Sequence, residues 1–335
     1  MINWGIIGLG NMANKFASAI TEITNAKLLG TSSLASERLN NFSEKYNINF
    51  KYRFNKYEEL LKCNDIDAVY ISTLNNSHLD LIIKCAENNK HVLCEKPMTM
   101  HYEESKEVIS YIKKSNIFFM EAIAYRSHPQ TDNVIKLINN NEIGKINSIK
   151  SSFGFLVKRI KPKSRLFNKS LGGGAILDLG CYPLSFLSLF RNDGEEMLLE
   201  DAKGTFCHTG VEDYAEANLI INRHIKANIK VSFKDNYENN SIIYGDNGHI
   251  IISSPWLPEK KSYLEIYKKD QHYKIFSNTD KSIYAQQIFN VSNLIENNAV
   301  EGKFPNISLK ESTEIMKLIS EWKEKIKNTT GQKYI

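Results

Sequence analysis

Gly8-Leu9-Gly10-Asn11-Met12-Ala13 closes a short apolar run that starts at Ile2 and opens an amphipathic stretch from Met12 to Ile23. A G-x-G-x-x-A turn in that position, after a strand and before a helix, has the spacing of a dinucleotide-binding fingerprint. Gly8 permits the tight turn, Gly10 lets the backbone approach a pyrophosphate, and Ala13 allows the helix to pack closely on the strand. With Asn11 and Met12, these residues present a helix N-terminus, with free N–H groups and a positive dipole end, to the phosphates. The alternative is a glycine-rich turn with no ligand, and the segments that follow argue against it.

Downstream, apolar runs at 26–33, 68–72, 91–94 and 117–121 alternate with helix-like segments at 36–46, 57–62, 77–88 and 102–114. Short apolar strands alternating with amphipathic helices predict a parallel sheet covered on both faces. From about Thr131 the texture changes. A helix at 131–140 is followed by strand-like stretches at 146–157, 202–211, 215–221, 224–233, 241–245, 248–253, 263–267 and 272–276. Turn signals such as Asn222-Arg223 and Asp246-Asn247-Gly248 separate several of them, which predicts a largely antiparallel sheet. A helix starts at Gly174–Ala175, and two more, at 282–297 and 308–327, follow. The expected fold is α/β: an N-terminal Rossmann doubly wound parallel sheet (1–122) plus a C-terminal α/β domain with a large open, mostly antiparallel sheet (123–335).

Composition agrees with two globular domains. The chain has 335 residues, 42% hydrophobic and 24% charged, enough for substantial cores. No apolar run reaches the ~18 residues that would span a bilayer, and the start Met1-Ile2-Asn3-Trp4 carries no cationic leader. The net charge of +5 supports no more than a weak preference for anionic small molecules over nucleic acid. Five cysteines without a C-x-x-C pair read as reduced thiols in a cytoplasmic protein, with no metal site.

The cofactor's identity turns on the end of the second strand. An NAD site carries an acid about 20 residues after the fingerprint to bond the ribose 2′-OH. Here that place is Thr31-Ser32-Ser33-Leu34-Ala35-Ser36, with no acid. Ser32, Ser33 and Arg38 could accept a 2′-phosphate instead, favouring NADP over NAD.

Two further motifs carry chemistry. His91-Val92-Leu93-Cys94-Glu95-Lys96-Pro97 ends a buried strand, and ligands of open parallel sheets lie beyond the carboxyl ends of the strands. Glu95 and Lys96 therefore face the cofactor crevice, and Pro97 restricts Lys96 to an extended conformation. A lysine beside a cationic nicotinamide and partly desolvated is expected to titrate low, as a proton-transfer group needs. In Leu171-Gly172-Gly173-Gly174-Ala175-Ile176-Leu177-Asp178-Leu179-Gly180-Cys181-Tyr182-Pro183, three glycines let the chain come close to something before a helix begins. Asp178 and Tyr182, four apart, share one face of that helix. Pro183 should kink it.

Together with Glu121-Ala122-Ile123-Ala124-Tyr125-Arg126-Ser127-His128-Pro129-Gln130, these motifs resemble the Gfo/Idh/MocA oxidoreductases in order and spacing across nearly the whole chain. The likeness is greatest to the branch with dimeric dihydrodiol dehydrogenases and NADP-dependent D-xylose dehydrogenases. The resemblance implies hydride transfer between a nicotinamide cofactor and a CH–OH or C=O carbon of a sugar or related polyol, of trans-dihydrodiol or aldose type. It implies Lys96 as the main catalytic or substrate-orienting residue, Asp178 as the group positioning the substrate hydroxyl, and Tyr182, where many members have His, as acid/base. It puts Thr73, Asn75 and His78 near the cofactor's ribose and nicotinamide, and Tyr125, Phe155, Arg165 and Trp256 in the substrate pocket. That branch often ends its second strand with an Arg, where this chain has Leu34. The resemblance also implies a homodimer through the C-terminal sheet. The competing expectation is a non-catalytic dinucleotide-dependent sensor on the same fold.

Overall fold

The structure, a computed structural model, describes residues 1–330; residues 331–335 of the expected second domain lie outside the described residues. The chain forms β1 (Ile2–Ile7), α1 (Asn11–Ala19), β2 (Ala26–Ser32), α2 (Ser36–Lys45), β3 (Arg53–Phe54), α3 (Tyr57–Leu61), β4 (Ala68–Ile71), α4 (His78–Glu87), β5 (His91–Cys94), α5 (Tyr102–Lys114) and β6 (Phe119–Glu121). There follow α6 (Pro129–Asn139), β7 (Ile146–Gly154), α7 (Ala175–Leu179), α8 (Cys181–Ser188), β8 (Met197–Phe206), β9 (Glu212–Ile221), β10 (Ile225–Ser232), β11 (Asn240–Gly245), β12 (Gly248–Ser253), β13 (Lys261–Lys268), β14 (Gln271–Asn278), α9 (Ile283–Glu296) and α10 (Leu309–Thr330).

Two compact units result. The first holds Met1–Ser127 together with Asp280–Thr313; the second holds His128–Thr279 and the described residues from Glu314 onward. A single cut after residue 122 would assign α9 to the second unit, but α9 packs on the first. Trp4 Nε1 donates to Ser292 Oγ (3.1 Å) in the buried interior, and Asn25 Nδ2 donates to Phe289 O (2.9 Å). Amphipathic periodicity shows that a helix has a face to bury; it does not say which sheet will bury it.

The first unit's sheet is wholly parallel, in the order β3-β2-β1-β4-β5-β6. Its strands are buried on both faces, which is why β4 (Ala-Val-Tyr-Ile) carries no alternation. Ile7, Val69, Ile71 and Val92 meet Leu60, Leu81, Ile82, Val108 and Ile112 from α3, α4 and α5 on one side. Each such side chain, fully buried, contributes roughly 1.5–3 kcal/mol before conformational entropy is counted. The strand order reverses beside β1, so the loops after β1 and β4 meet at the switch point where ligands of such sheets bind.

The second unit's sheet runs β14-β13-β12-β11-β7-β10-β9-β8, antiparallel except for the β7–β10 pair. Burial alternates along β9, the mark of a sheet covered on one face only. On the covered face α8 packs on β7 and β10, α7 on β9 and β10, and α6 on β13 and β14. The other face keeps Leu198 and Phe276 exposed (54% and 63%).

Candidate active site

The fingerprint turn takes its shape from its neighbours. Gly8 has φ +88°, and a Cβ there would stand 2.7 Å from Thr73 Cγ2 and 2.9 Å from the Ser72 backbone. Only glycine suits that left-handed, crowded position. Gly10 differs: it has φ −94°, and nothing lies within 4 Å of a Cβ built on it. The protein's own packing therefore does not explain Gly10, whereas the approach of a ligand does. Gly10 is also the N-cap of α1, with no side-chain cap and no acid in the first turn. The leading N–H groups are left for an anion, so these residues fit a dinucleotide pyrophosphate. Ala13, fully buried, sets the close packing of α1.

Beside this turn lies a concavity of about 410 Å³ lined by Leu9, Asn14, Ala35, Glu37, Arg38, Asn41, Phe42 and Lys45. Arg38 is exposed there. Lys45 is held by Asn14 Oδ1 (2.9 Å), whose Nδ2 donates to Gly10 O (2.9 Å). Residues 38, 41, 42 and 45 recur at helical spacing, a signal in the sequence that could have disclosed Lys45. The expectation for the two serines needs correction. Ser32 is fully buried, and its hydroxyl donates to Phe54 O (3.0 Å). Ser33 is buried too, its Oγ accepting the Ala35 N–H (3.2 Å). Both shape the turn from below, because β2 lies inside the sheet and its end is capped by the chain around Phe54.

Around the switch point, Thr73 accepts a hydrogen bond from Ser77 Oγ (2.7 Å), and Asn75 is half-buried in the same loop. His78 does not reach a surface. It is fully buried, with Nδ1 2.9 Å from Pro97 O, so the ring holds the Lys96–Pro97 segment, whose peptide is cis. Burial, reinforced by the Lys96 charge, keeps this imidazole below its usual pKa and therefore neutral. Its place relative to a cofactor is thus indirect, through the loop it supports. Glu95 accepts a hydrogen bond from Tyr70, whose phenol is pushed well up by burial and then by that carboxylate. Sequence reasoning passed over Glu121. This buried carboxyl accepts the Met98 N–H (2.8 Å), and burial raises its pKa. The Lys96 loop is therefore anchored from two sides. Tyr125, on the turn after β6, is buried (1% exposed).

In the second unit, what Gly173 and Gly174 come close to is the protein itself. A Cβ on Gly173 would stand 2.8 Å from Asn168 O, and one on Gly174 (φ +116°) 2.2 Å from Glu212 Oε2. Asp178 and Tyr182 lie on either side of Gly180, which joins α7 to α8 in helical conformation. Pro183 falls in the first turn of α8, where a missing N–H costs no helical bond; the break occurs at Gly180 rather than at the proline.

Asp178 is buried, and its Oδ1 accepts Arg165 Nη1 (2.7 Å) from a half-exposed side chain. Half-buried Tyr182 packs edge-on against Phe153 (5.1 Å) and against Trp256 (6.0 Å). Trp256 is fully buried, touches Phe186 and donates to Ser152 O (2.8 Å). It braces Tyr182 from within the aromatic cluster, so its faces are not open to a sugar ring as expected. Phe155 is half-buried against Phe233 (5.4 Å). An anchored carboxylate and a braced phenol one helical turn apart can orient and protonate a hydroxyl or carbonyl oxygen.

Residues 2–122 match the oxidoreductase family with an NAD-binding Rossmann fold, Gfo/Idh/MocA, and residues 132–251 match the Gfo/Idh/MocA C-terminal domain. The trans-1,2-dihydrobenzene-1,2-diol dehydrogenase of Xenopus tropicalis is 32% identical over 76% of this chain and 76% of its own; that of Mus musculus is 29% identical over 77% and 76%. In fold the chain is similar to the aldose-aldose oxidoreductase of Caulobacter crescentus (TM-score 0.88, 22% identity, 98% of both chains). It is likewise similar to a 3-ketoreductase of Actinomadura kijaniata in complex with NADP and TDP-benzene (TM-score 0.85, 22% identity, 97% of both chains). With the fingerprint turn, the lysine loop and the Asp–Tyr helix all in place, this chain belongs to the Gfo/Idh/MocA family of NAD(P)-binding oxidoreductases.

Proposed function

We propose that the protein is a dehydrogenase or reductase acting on a CH–OH or C=O carbon of a sugar or related polyol, with NADP preferred over NAD. The observation that carries the reading is the Asp178–Arg165 pair one turn from the braced Tyr182, since a hydride acceptor alone cannot move the hydroxyl proton. The names of its dihydrodiol dehydrogenase relatives support a vicinal hydroxyl substrate.

When bound, the nicotinamide supplies or accepts the hydride. Gly10 and the open end of α1 hold the pyrophosphate, while Arg38 and Lys45 favour a 2′-phosphate at the concavity they line. Lys96 and Tyr182 handle the proton on the reacting oxygen, and Asp178 accepts and orients the substrate hydroxyl. His78 and Glu121 keep Lys96 in place by holding Pro97 and Met98.

The first test is a fluorescence titration with NADPH and NADH. Tight NADPH and weak NADH are expected, with Arg38→Ala raising the NADPH Kd about tenfold, or ~1.4 kcal/mol, and leaving NADH unchanged. In steady state Lys96→Ala and Tyr182→Phe should each lower kcat by about 10²-fold or more, the range of a lost general acid–base group, with cofactor affinity retained. Unchanged turnover in both variants would remove the catalytic assignment.

Two further parts of the reading concern its setting. The half-covered sheet with Leu198 and Phe276 exposed supports a homodimer through that face; light scattering should give twice the chain mass, and Phe276→Lys should shift it towards monomer. Buried cysteines at Cys85, Cys94, Cys181 and Cys207 suit a reducing, cytoplasmic compartment, which cell fractionation checks.

A further inference from the structure

Between Ile143 and Leu177 the sequence has eight Lys and Arg and no Asp or Glu. Their most exposed part is the segment that leaves β7, where Lys158, Arg159, Lys161 and Lys163 all point into solvent. None of these four makes an ion pair with any described residue. Elsewhere in the same unit several surface cations are matched, Lys203 and Lys230 with Glu216, Arg223 with Glu195, Lys268 with Glu142 and Lys274 with Glu265, while others are not, but no other stretch gathers so many cations without an acid among them.

Where this segment runs gives the imbalance a direction. At its start Phe153 packs on Tyr182, and at its end Arg165 bonds Asp178. The four unpaired cations therefore lie on the stretch of chain that connects the neighbours of the two proposed substrate-handling residues. Between those ends the segment is tied down by Phe155 N to Ser232 O (3.0 Å) and Val157 N to Phe233 O (2.8 Å), and Phe167 packs on Phe233 (5.6 Å). It is a held loop, not a tail. Uncompensated charge of one sign beside a site raises the local concentration of opposite charge and speeds its capture by 10- to 10³-fold.

We infer that the substrate is an anionic polyol, a sugar carrying a phosphate or carboxylate group, and that Lys158, Arg159, Lys161 and Lys163 receive that group. The inference rests on the dehydrogenase reading and narrows its substrate class. Arg165 stays on Asp178, so the loop divides its work: one cation aligns the carboxylate and four take the substrate's charge.

The test uses the full chain saturated with NADP and three probes that differ in charge: D-glucose, D-glucose 6-phosphate and D-glucuronate. Calorimetric Kd values are compared at low and high NaCl. At low salt at least one charged sugar should bind about tenfold more tightly than glucose, and high salt should erode that advantage. The better of the two identifies phosphate or carboxylate as the recognised group. Changing Lys158, Arg159, Lys161 and Lys163 together to Glu should abolish the advantage, and changing them to Ala should reduce it. The same charge reversal at the exposed Lys27, Lys62, Lys113 and Lys114 of the first unit should preserve it. Circular dichroism monitors folding, and the Ala set stands in should the Glu set fail to fold. Equal affinity for all three sugars, no measurable binding of either charged sugar, or a preference that survives both loop variants overturns the inference. Hydride transfer is scored separately with each probe: binding with charge preference but no turnover by any sugar counts against the dehydrogenase reading and leaves the anion site standing.

Discussion

Each unit of this protein has a glycine-rich turn leading into a helix, and the two turns use glycine for opposite ends. At Gly173 and Gly174 the missing side chains make room for the protein's own atoms, Asn168 below Gly173 and Glu212 beside Gly174. In Gly8-Leu9-Gly10 the first glycine does the same against Thr73, but the space over Gly10 is empty. A turn that fits itself stabilises the fold; a turn that leaves room at a helix N-terminus can admit an anion. The same residue type therefore serves packing in one unit and leaves open space at a helix N-terminus in the other.

The comparison can be broken most readily at Gly174. Alanine there must adopt a φ near +116° that non-glycine residues avoid, at a cost of about 1–3 kcal/mol, and must displace Glu212. Gly174→Ala should lower Tm by several degrees, and a thermal unfolding curve matching the parent chain would refute the packing role.

Gly10→Ala is the converse. With φ −94° and open space around it, the added methyl should leave Tm within about a degree. It should weaken NADPH at least tenfold, or ~1.4 kcal/mol, by standing where the pyrophosphate approaches. Loss of stability together with unchanged affinity would reverse the assignment.

The smallest effect sharpens the comparison through pH. His78 in the first unit and His128 in the second are both buried and held below the usual imidazole pKa by burial, His128 at about 4. A histidine whose folded pKa is depressed contributes stability that is complete above the unfolded value of about 6.5 and is lost as pH falls below it. Denaturant unfolding should show stability flat above neutrality in this respect and declining from pH ~6.5 downward. His78→Gln should reduce that decline without removing it, since His128 has the same sign. An undiminished slope would mean that His78 is not buried neutral under the Pro97 turn.

Much of the architecture was legible because periodicity is local. The parallel unit announced itself through buried runs such as 68–72 and 91–94, and the second sheet through alternation and turns. Observed boundaries fall mostly within a few residues of those expected, with β8 starting five residues early at Met197 and the two-residue β3 leaving no pattern to read. For the site, the motifs picked out Lys96, Asp178 and Tyr182 as candidates. Less visible was what each neighbour does. Ser32 and Ser33 look like phosphate ligands in sequence and are buried turn supports in the structure; Trp256 looks like a sugar platform and is a brace. Glu121 was missed because its burial under the Met98 N–H is not a property of residue type, and Lys45 was open only to a helical-spacing argument.

What the sequence determined by itself was the pair of folds, the family and the uncapped helix N-terminus that follows the G-x-G-x-x-A turn, because strand and helix periods and that spacing are properties of neighbouring residues. Tertiary structure alone decided that α9 returns to the first sheet, that His78 and Glu121 hold the lysine loop, that Gly174 leans on Glu212, and that four cations of the loop after β7 have no ion-pair partner among the described residues. Each of these depends on which side chains, far apart in the chain, compete for the same buried volume or the same charge, and that competition is settled only when the chain has packed.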